Sequence, residues 1–198
     1  MTQTTLILSL PVWIESFLNR RKAGCHSPES RMELVIALGI ENVKRKTGGP
    51  FAAAVFNSKT GKIISAGVNR VVPCSCSIAH AEMMALGLAQ QSLNTFTLSA
   101  EGIPELELVT STEPCAMCLG AIPWAGIKRV ICGATDADAR AAGFDEGVKP
   151  ADWVNHLSQL GIEVRTSVCR DDATRLLKEY SESGLPIYNG HIPLPAPD

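Results

Sequence analysis

Apolar residues recur at helical spacing near both ends of the chain, with short continuous apolar runs between them. Val12, Trp13, Ile14, Phe17 and Leu18 predict a short amphipathic helix over 12–22. Arg20, Arg21 and Lys22 close it with charge that suits a helix C-terminus. Ser27 and Pro28 read as the N-cap and first turn of a second helix. Met32, Val35, Ile36, Leu38, Ile40 and Val43 carry that helix to Lys46, and Gly48-Gly49-Pro50 stops it. Two strands follow, Phe51–Asn57 and Lys62–Val68, joined by a hairpin turn at Ser58-Lys59-Thr60-Gly61. A helix over 79–92 leads to a strand from Leu106 to Thr110. Pro114 opens a helix over 115–125, and the strand Arg129–Cys132 comes next. A helix near 151–160, a strand near 162–164 and a helix near 171–182 complete the series. This order predicts an α/β domain, one mixed sheet with helices on its faces. Pro186, Pro193, Pro195 and Pro197 make residues 184–198 an extended tail.

Composition narrows the class. A chain of 198 residues that is 45% hydrophobic can bury one sizeable core, which excludes a disordered or stapled mini-protein. The formal net charge of −2 argues against a dedicated nucleic-acid binder. No lysine or arginine precedes Leu6-Ile7-Leu8, and the apolar run is too short to cross a bilayer. The expectation is a cytoplasmic protein without membrane contact. Seven cysteines cannot all pair, so they read as thiols or metal ligands.

Two segments carry chemistry. His80-Ala81-Glu82 opens one predicted helix, and Pro114-Cys115-Ala116-Met117-Cys118 opens another. Pro114 is expected at the first helical position. Both helix starts follow strand-like segments, so both can meet above one sheet edge. Cys115 and Cys118 are three apart and share a face of the first turn. A helix N-terminus lowers thiol pKa and favours thiolate. Two thiolates and the His80 imidazole fit a Zn²⁺ site with one position left open for water. Zinc brings the pKa of such a water to roughly 7. Glu82, two residues from His80, can face the cavity without binding the metal and move protons between water and leaving group.

With these residues in view, the chain resembles the zinc-dependent cytidine-deaminase-like superfamily over most of 30–182, since H-x-E with P-C-x-x-C is its signature. The resemblance implies a three-layer α-β-α sandwich with a five-stranded mixed sheet, and a homodimer. The stretch from Thr112 to Ile122, together with Gly48-Gly49-Pro50-Phe51 and Val68-Asn69, resembles the purine-acting branch of guanine deaminases and tRNA adenosine deaminases. Gly143-Phe144-Asp145-Glu146 is similar to bacterial guanine deaminases, which implies that Glu146 reads the guanine edge and assists at the leaving amine. An ionised carboxylate suits the N1–H and amine donors there. By the same resemblance Asn69 binds the base through its amide, Phe51 packs on the base, and Trp124 stands near the pocket wall. Ala81 presents its backbone N–H to the substrate. Tyr188 belongs to a C-terminal segment, 184–198, that closes over the site. Residues 28–183 form the deaminase domain on this reading, and 1–27 is an N-terminal extension.

Other readings compete. Cys74 or Cys76 could add a fourth ligand and make a closed, structural zinc site. Cys25, Cys132 and Cys169 read as buried thiols, and His26, His156 and His191 as surface or capping residues. Asp145 and Glu146 could be solvated loop charges. Phe51 and Trp124 could be core residues. Free-base hydrolysis, with guanine first and ammeline, guanosine or cytosine as alternatives, stands against deamination of adenosine in tRNA. The latter is disfavoured because only Arg20-Arg21-Lys22 and Lys44-Arg45-Lys46 form basic clusters. The expected partner is thus a small purine or triazine base.

Overall fold

The computed structural model describes residues 4–21 and 25–190. Lys22, His191 and the end of the tail lie outside the described residues. In chain order the elements are α1 (Trp13–Asn19), α2 (Pro28–Lys44), β1 (Ala52–Asn57), β2 (Ile63–Val68), α3 (Val71–Cys74), α4 (Ala81–Ser92) and β3 (Leu106–Thr112). Then come α5 (Ala116–Ala125), β4 (Arg129–Ala134), α6 (Asp136–Ala141), α7 (Trp153–Gln159), β5 (Glu163–Arg165) and α8 (Arg170–Glu182).

The strands form one five-stranded sheet in the order β2-β1-β3-β4-β5. β1 is antiparallel to both β2 and β3, whereas β3, β4 and β5 run parallel. The sheet is therefore mixed, with helical connections wherever neighbours are parallel. The hairpin turn forms as expected. Asn57 Oδ1 accepts from the backbone N–H groups of Lys59 and Thr60, and Gly61 supplies a positive φ of 67°.

Side-chain alternation in the strands builds two cores. Ala52, Ala54 and Phe56 of β1, with Val109 and Ile131, face α1, α2 and α8. Ala53 and Val55, with Leu108, Val130 and Cys132, face α4, α5 and α7. Strands buried on both faces read as unbroken apolar runs, which is why β1 and β4 were legible as strands without alternation. The result is the three-layer α-β-α sandwich. Trp13, Ile14 and Phe17 of α1 are buried in the first core, so this part of the N-terminal segment packs against the domain.

Two short helices were not foreseen. α3 is four residues long, and α6, with sequence DADARA, has no apolar stripe. α6 is held by its cap instead. Thr135 accepts from the Asp138 N–H, and Asp138 accepts from the Thr135 N–H. Gly67 lets β2 approach α4: a Cβ there would stand 2.1 Å from the Ala81 carbonyl oxygen.

Candidate active site

Two helix caps build the centre of the site. His80 is the N-cap of α4 and Cys115 the N-cap of α5, both with extended backbone. N-caps are usually Ser, Thr, Asp or Asn, whose side chains satisfy the first helical N–H groups. Neither His80 nor Cys115 does so. Instead their side chains turn toward each other, with Cys115 Sγ 3.5 Å from His80 Nδ1. Pro114 accordingly lies one residue before the cap, a correction to its expected place inside the helix. The reason is the extended conformation of Cys115 (φ −64°, ψ 171°), which delays the helix to Ala116. Cys118 follows on the first turn and is buried.

The ligand atoms of His80, Cys115 and Cys118 all lie within 4.8 Å of one another. Among the described residues this is the cluster suited to a metal ion, and neither Cys74 nor Cys76 belongs to it. The protonation of the pair supports the same conclusion. A hydrogen bond from Cys118, with another from His80, holds the Cys115 thiol down at about 4. The same contact with Cys115, and burial, push Cys118 well up. A bound cation would hold both sulfurs as thiolates. His80 is affected most by burial, which disfavours its charge. The hydrogen bond and charge of Cys115 outweigh burial and raise its pKa. A nitrogen and two sulfurs match the donor set of a catalytic zinc site.

Glu82 is the second residue of α4, in its first turn, and is buried with its carboxylate beside the Cys118 sulfur. Thr110 Oγ1 of β3 donates to Glu82 Oε1 at 2.9 Å, and Cys118 Sγ lies 3.4 Å from Oε2. Burial, then the charge of Cys115, raises its pKa above the ordinary carboxylate value. A buried carboxyl with a raised pKa, held beside a metal cluster by a hydroxyl, suits proton transfer.

A cavity of about 170 Å³ opens over this centre. His80, Glu82 and Cys115 form its floor, and Phe51, Asn69, Phe144, Glu146 and Tyr188 line its walls. The structure therefore brings together seven residues singled out from sequence. Phe51 meets Phe144 edge-on, with ring centroids 4.7 Å apart, and also packs on both cores, so its pocket and core readings hold together. The backbone of Asn69 is fixed on both sides: its N–H donates to the Phe51 carbonyl, and its carbonyl accepts from Asn42 Nδ2. Gly48 permits this approach, because a Cβ there would stand 1.8 Å from the Asn69 carbonyl oxygen.

Glu146 is buried, not a solvated loop charge. Burial, with the charges of Cys115 and Glu82, pushes its pKa up to about 8. Its affinity for a proton is thus far above that of a solvated carboxylate. The chain's own tail completes the wall through Leu185, Pro186, Tyr188, Asn189 and Gly190. Tyr180 Oη donates to the Pro186 carbonyl at 2.7 Å. Asn189 bridges the loop before Glu146, donating to the Gly143 carbonyl and accepting from the Asp145 N–H.

Trp124 lies elsewhere, and Ala81 contributes no side chain to the lining. Trp124 is 88% exposed and does not line the cavity of its own chain. It follows the inward-facing Ile122 by two residues, about 200° around the helix, so it points outward. Ala81 is fully buried behind the cavity floor, between the lining residues His80 and Glu82. As the first residue of α4, its N–H has no intrahelical acceptor. Cys25 and Cys132 are buried as expected, while Cys169, the cap of α8, is partly exposed. His156 is exposed in the last turn of α7 and lies 3.2 Å from Asp152. Sequence reasoning missed Phe144 as a wall, missed the parts played by Thr110 and Tyr180, and gave Glu113 and Asn189 no role beyond the stretches that contain them. Thr110 and Asn189 reach the site through contacts distant in sequence.

Residues 26–134 match the family model of the cytidine and deoxycytidylate deaminase zinc-binding region. The guanine deaminase of Bacillus subtilis (strain 168) is 40% identical over 118 residues, covering 60% of this chain and 71% of that protein. A solved structure of guanine deaminase from Nitrosomonas europaea superposes with a TM-score of 0.86 at 46% identity, covering 92% of this chain and 99% of the other. A mutant of a protein designated NE0047, solved in complex with 8-azaguanine, has a TM-score of 0.86 and 46% identity, covering 90% of this chain and 98% of that one.

Proposed function

The chain belongs to the zinc-binding cytidine and deoxycytidylate deaminase family, and on that premise we propose that it hydrolyses guanine to xanthine and ammonia. One observation carries the reading: Glu146 is buried in the same cavity as His80, Cys115 and Glu82. A carboxyl group placed there can recognise the N1–H and amine edge of guanine. His80, Cys115 and Cys118 hold zinc. When bound, zinc supplies the Lewis acidity that makes water a competent nucleophile near neutral pH. Glu82 takes a proton from the attacking water and returns it to the departing amine. At C2 a carbon–oxygen bond forms and the carbon–nitrogen bond breaks, so the products are xanthine and ammonia. Asn69 orients the base, and Phe51 packs against it. Tyr188 closes the outer wall, and the Ala81 N–H faces the floor. Glu146 fixes the amine edge and so assists at the leaving amine.

The same reading includes a homodimer. α5 carries no charged residue and exposes Trp124, so its outer face suits cover by another chain. It includes a cytoplasmic setting, in keeping with seven free thiols, and a role in purine catabolism. It keeps 28–183 as the catalytic unit, 1–27 as an extension and 184–198 as the closing tail.

The test is ammonia release from the zinc-loaded protein with guanine, guanosine, ammeline, cytosine, adenine and a tRNA anticodon stem. Guanine is expected to give the highest kcat/KM. A preference for the RNA stem that falls steeply with salt would overturn the reading.

A further inference from the structure

Three charged side chains outside the cavity centre tie its two halves together. Lys149 is almost buried, with its side chain 7% exposed. Its Nζ donates to the Pro114 carbonyl at 3.0 Å, one residue before the ligand Cys115. The same Nζ lies 3.0 Å from Asp136 Oδ1 and 3.8 Å from Glu113 Oε2. Asp136 is the hub. Its N–H donates to Glu113 Oε2 at 3.0 Å, and its Oδ2 accepts from Arg140 Nε at 2.6 Å. Arg140 then reaches forward, and Nη2 donates to the Gly147 carbonyl at 2.7 Å. Gly147 directly follows Glu146. The Gly147 N–H donates to Asp145 Oδ1, and the Glu146 carbonyl accepts from the Ala116 N–H at 2.9 Å. A continuous chain of charge-assisted bonds thus runs from the metal-ligand loop to the loop that carries Glu146.

We propose that Lys149, Asp136 and Arg140 act as a positioning bridge that sets Glu146 in register with the metal centre, and so fixes the recognition of the base edge. The inference rests on the guanine reading of the site. The physical reason is that base recognition tolerates little displacement of the carboxyl that carries it. None of the three residues touches the substrate. Their effect passes through the backbone on either side of Cys115 and Glu146.

Arg140 carries the test because it is half-exposed and its loss leaves no buried cation site empty. Arg140→Met is expected to weaken 8-azaguanine binding and raise KM for guanine, each by about tenfold, with a smaller change in kcat. Zinc content by mass spectrometry and the thermal midpoint are expected to stay near those of the parent. Arg140→Lys keeps the contact with Asp136 and restores part of the binding. Lys149→Met acts at the other end of the bridge and is expected to speed zinc loss to a chelator. An unchanged Kd for 8-azaguanine in Arg140→Met overturns the bridge. So does a loss that follows zinc content or melting temperature, since a merely structural role predicts that pattern. If the parent protein neither binds 8-azaguanine nor deaminates guanine, the reading of the site fails and takes the bridge with it. If the parent does both and Arg140→Met is unaltered, the bridge alone fails.

Discussion

Glu82 and Glu146 share one cavity, and burial raises the pKa of each, yet their surroundings give them different work. Glu82 is oriented by the Thr110 hydroxyl and lies beside the metal cluster without joining it. Glu82→Gln is therefore expected to keep zinc and lose turnover by roughly 10²–10⁴-fold, the usual worth of a positioned acid–base group. Metal analysis alongside steady-state kinetics checks this, and loss of zinc from the variant would make Glu82 a ligand. Glu146 titrates at about 8, well above the ordinary carboxylate value. The acceptor form is the deprotonated one, so it accumulates as pH rises. kcat/KM for guanine is accordingly expected to climb with pH up to about 8, and this component is expected to vanish in Glu146→Gln. A pH profile of both proteins decides it. Glu82 could be read from the H-x-E spacing, whereas Glu146 followed only from the resemblance of Gly143-Phe144-Asp145-Glu146. The raised pKa of Glu146 could be read from neither, since it is set by the walls that bury it.

At the level of helices and strands, what decides each element is who satisfies its ends. α2 was legible because Ser27 and Pro28 write its start, and Ser27 accepts from the Ser30 N–H. α6 was not, because its stability lies in the Thr135–Asp138 cap and a contact with a distant helix. Arg170 of α8 donates two hydrogen bonds to Asp138, and these hold the Asp138 carboxyl below the usual range. A depressed carboxyl pKa contributes stability that is present above its unfolded value and lost as pH falls through the folded one. Asp138→Ala is expected to lower stability at pH 7 by about 1 kcal/mol, chiefly through the lost cap, since the half-exposed Arg170 adds little. Urea denaturation at pH 7 and pH 3 checks the sign: the gap between variant and parent should narrow in acid. α4 and α5 reverse the usual rule. Their N-caps give up capping so that His80 and Cys115 can meet.

For the molecule as a whole, one buried ion pair joins layers that are far apart in sequence. Arg31 of α2 pairs with Glu107 of β3, and the two side chains are 5% and 2% exposed. Arg31 also donates to the carbonyls of Cys25 and Ser58. Arg31→Met leaves Glu107 as an uncompensated buried charge and is expected to cost about 3–5 kcal/mol. The double variant Arg31→Met with Glu107→Leu is expected to recover much of that loss, and chemical denaturation of the set measures it. Nothing in the sequence pairs Arg31 with Glu107, because a single charge on a helix reads as solvated until its partner is known. The sequence alone determined the α/β class, because apolar runs of strand length alternate with amphipathic helices. It also singled out His80, Cys115 and Cys118 as candidate metal ligands with Glu82 beside them, because H-x-E and P-C-x-x-C carry those residue types at short spacing within each motif. Only the tertiary structure decided that Trp124 faces outward, that the tail lines its own chain's site, and that Lys149, Asp136 and Arg140 span two loops. Those relations depend on contacts between residues distant along the chain, and such contacts form only when the sheet and its two helical layers close.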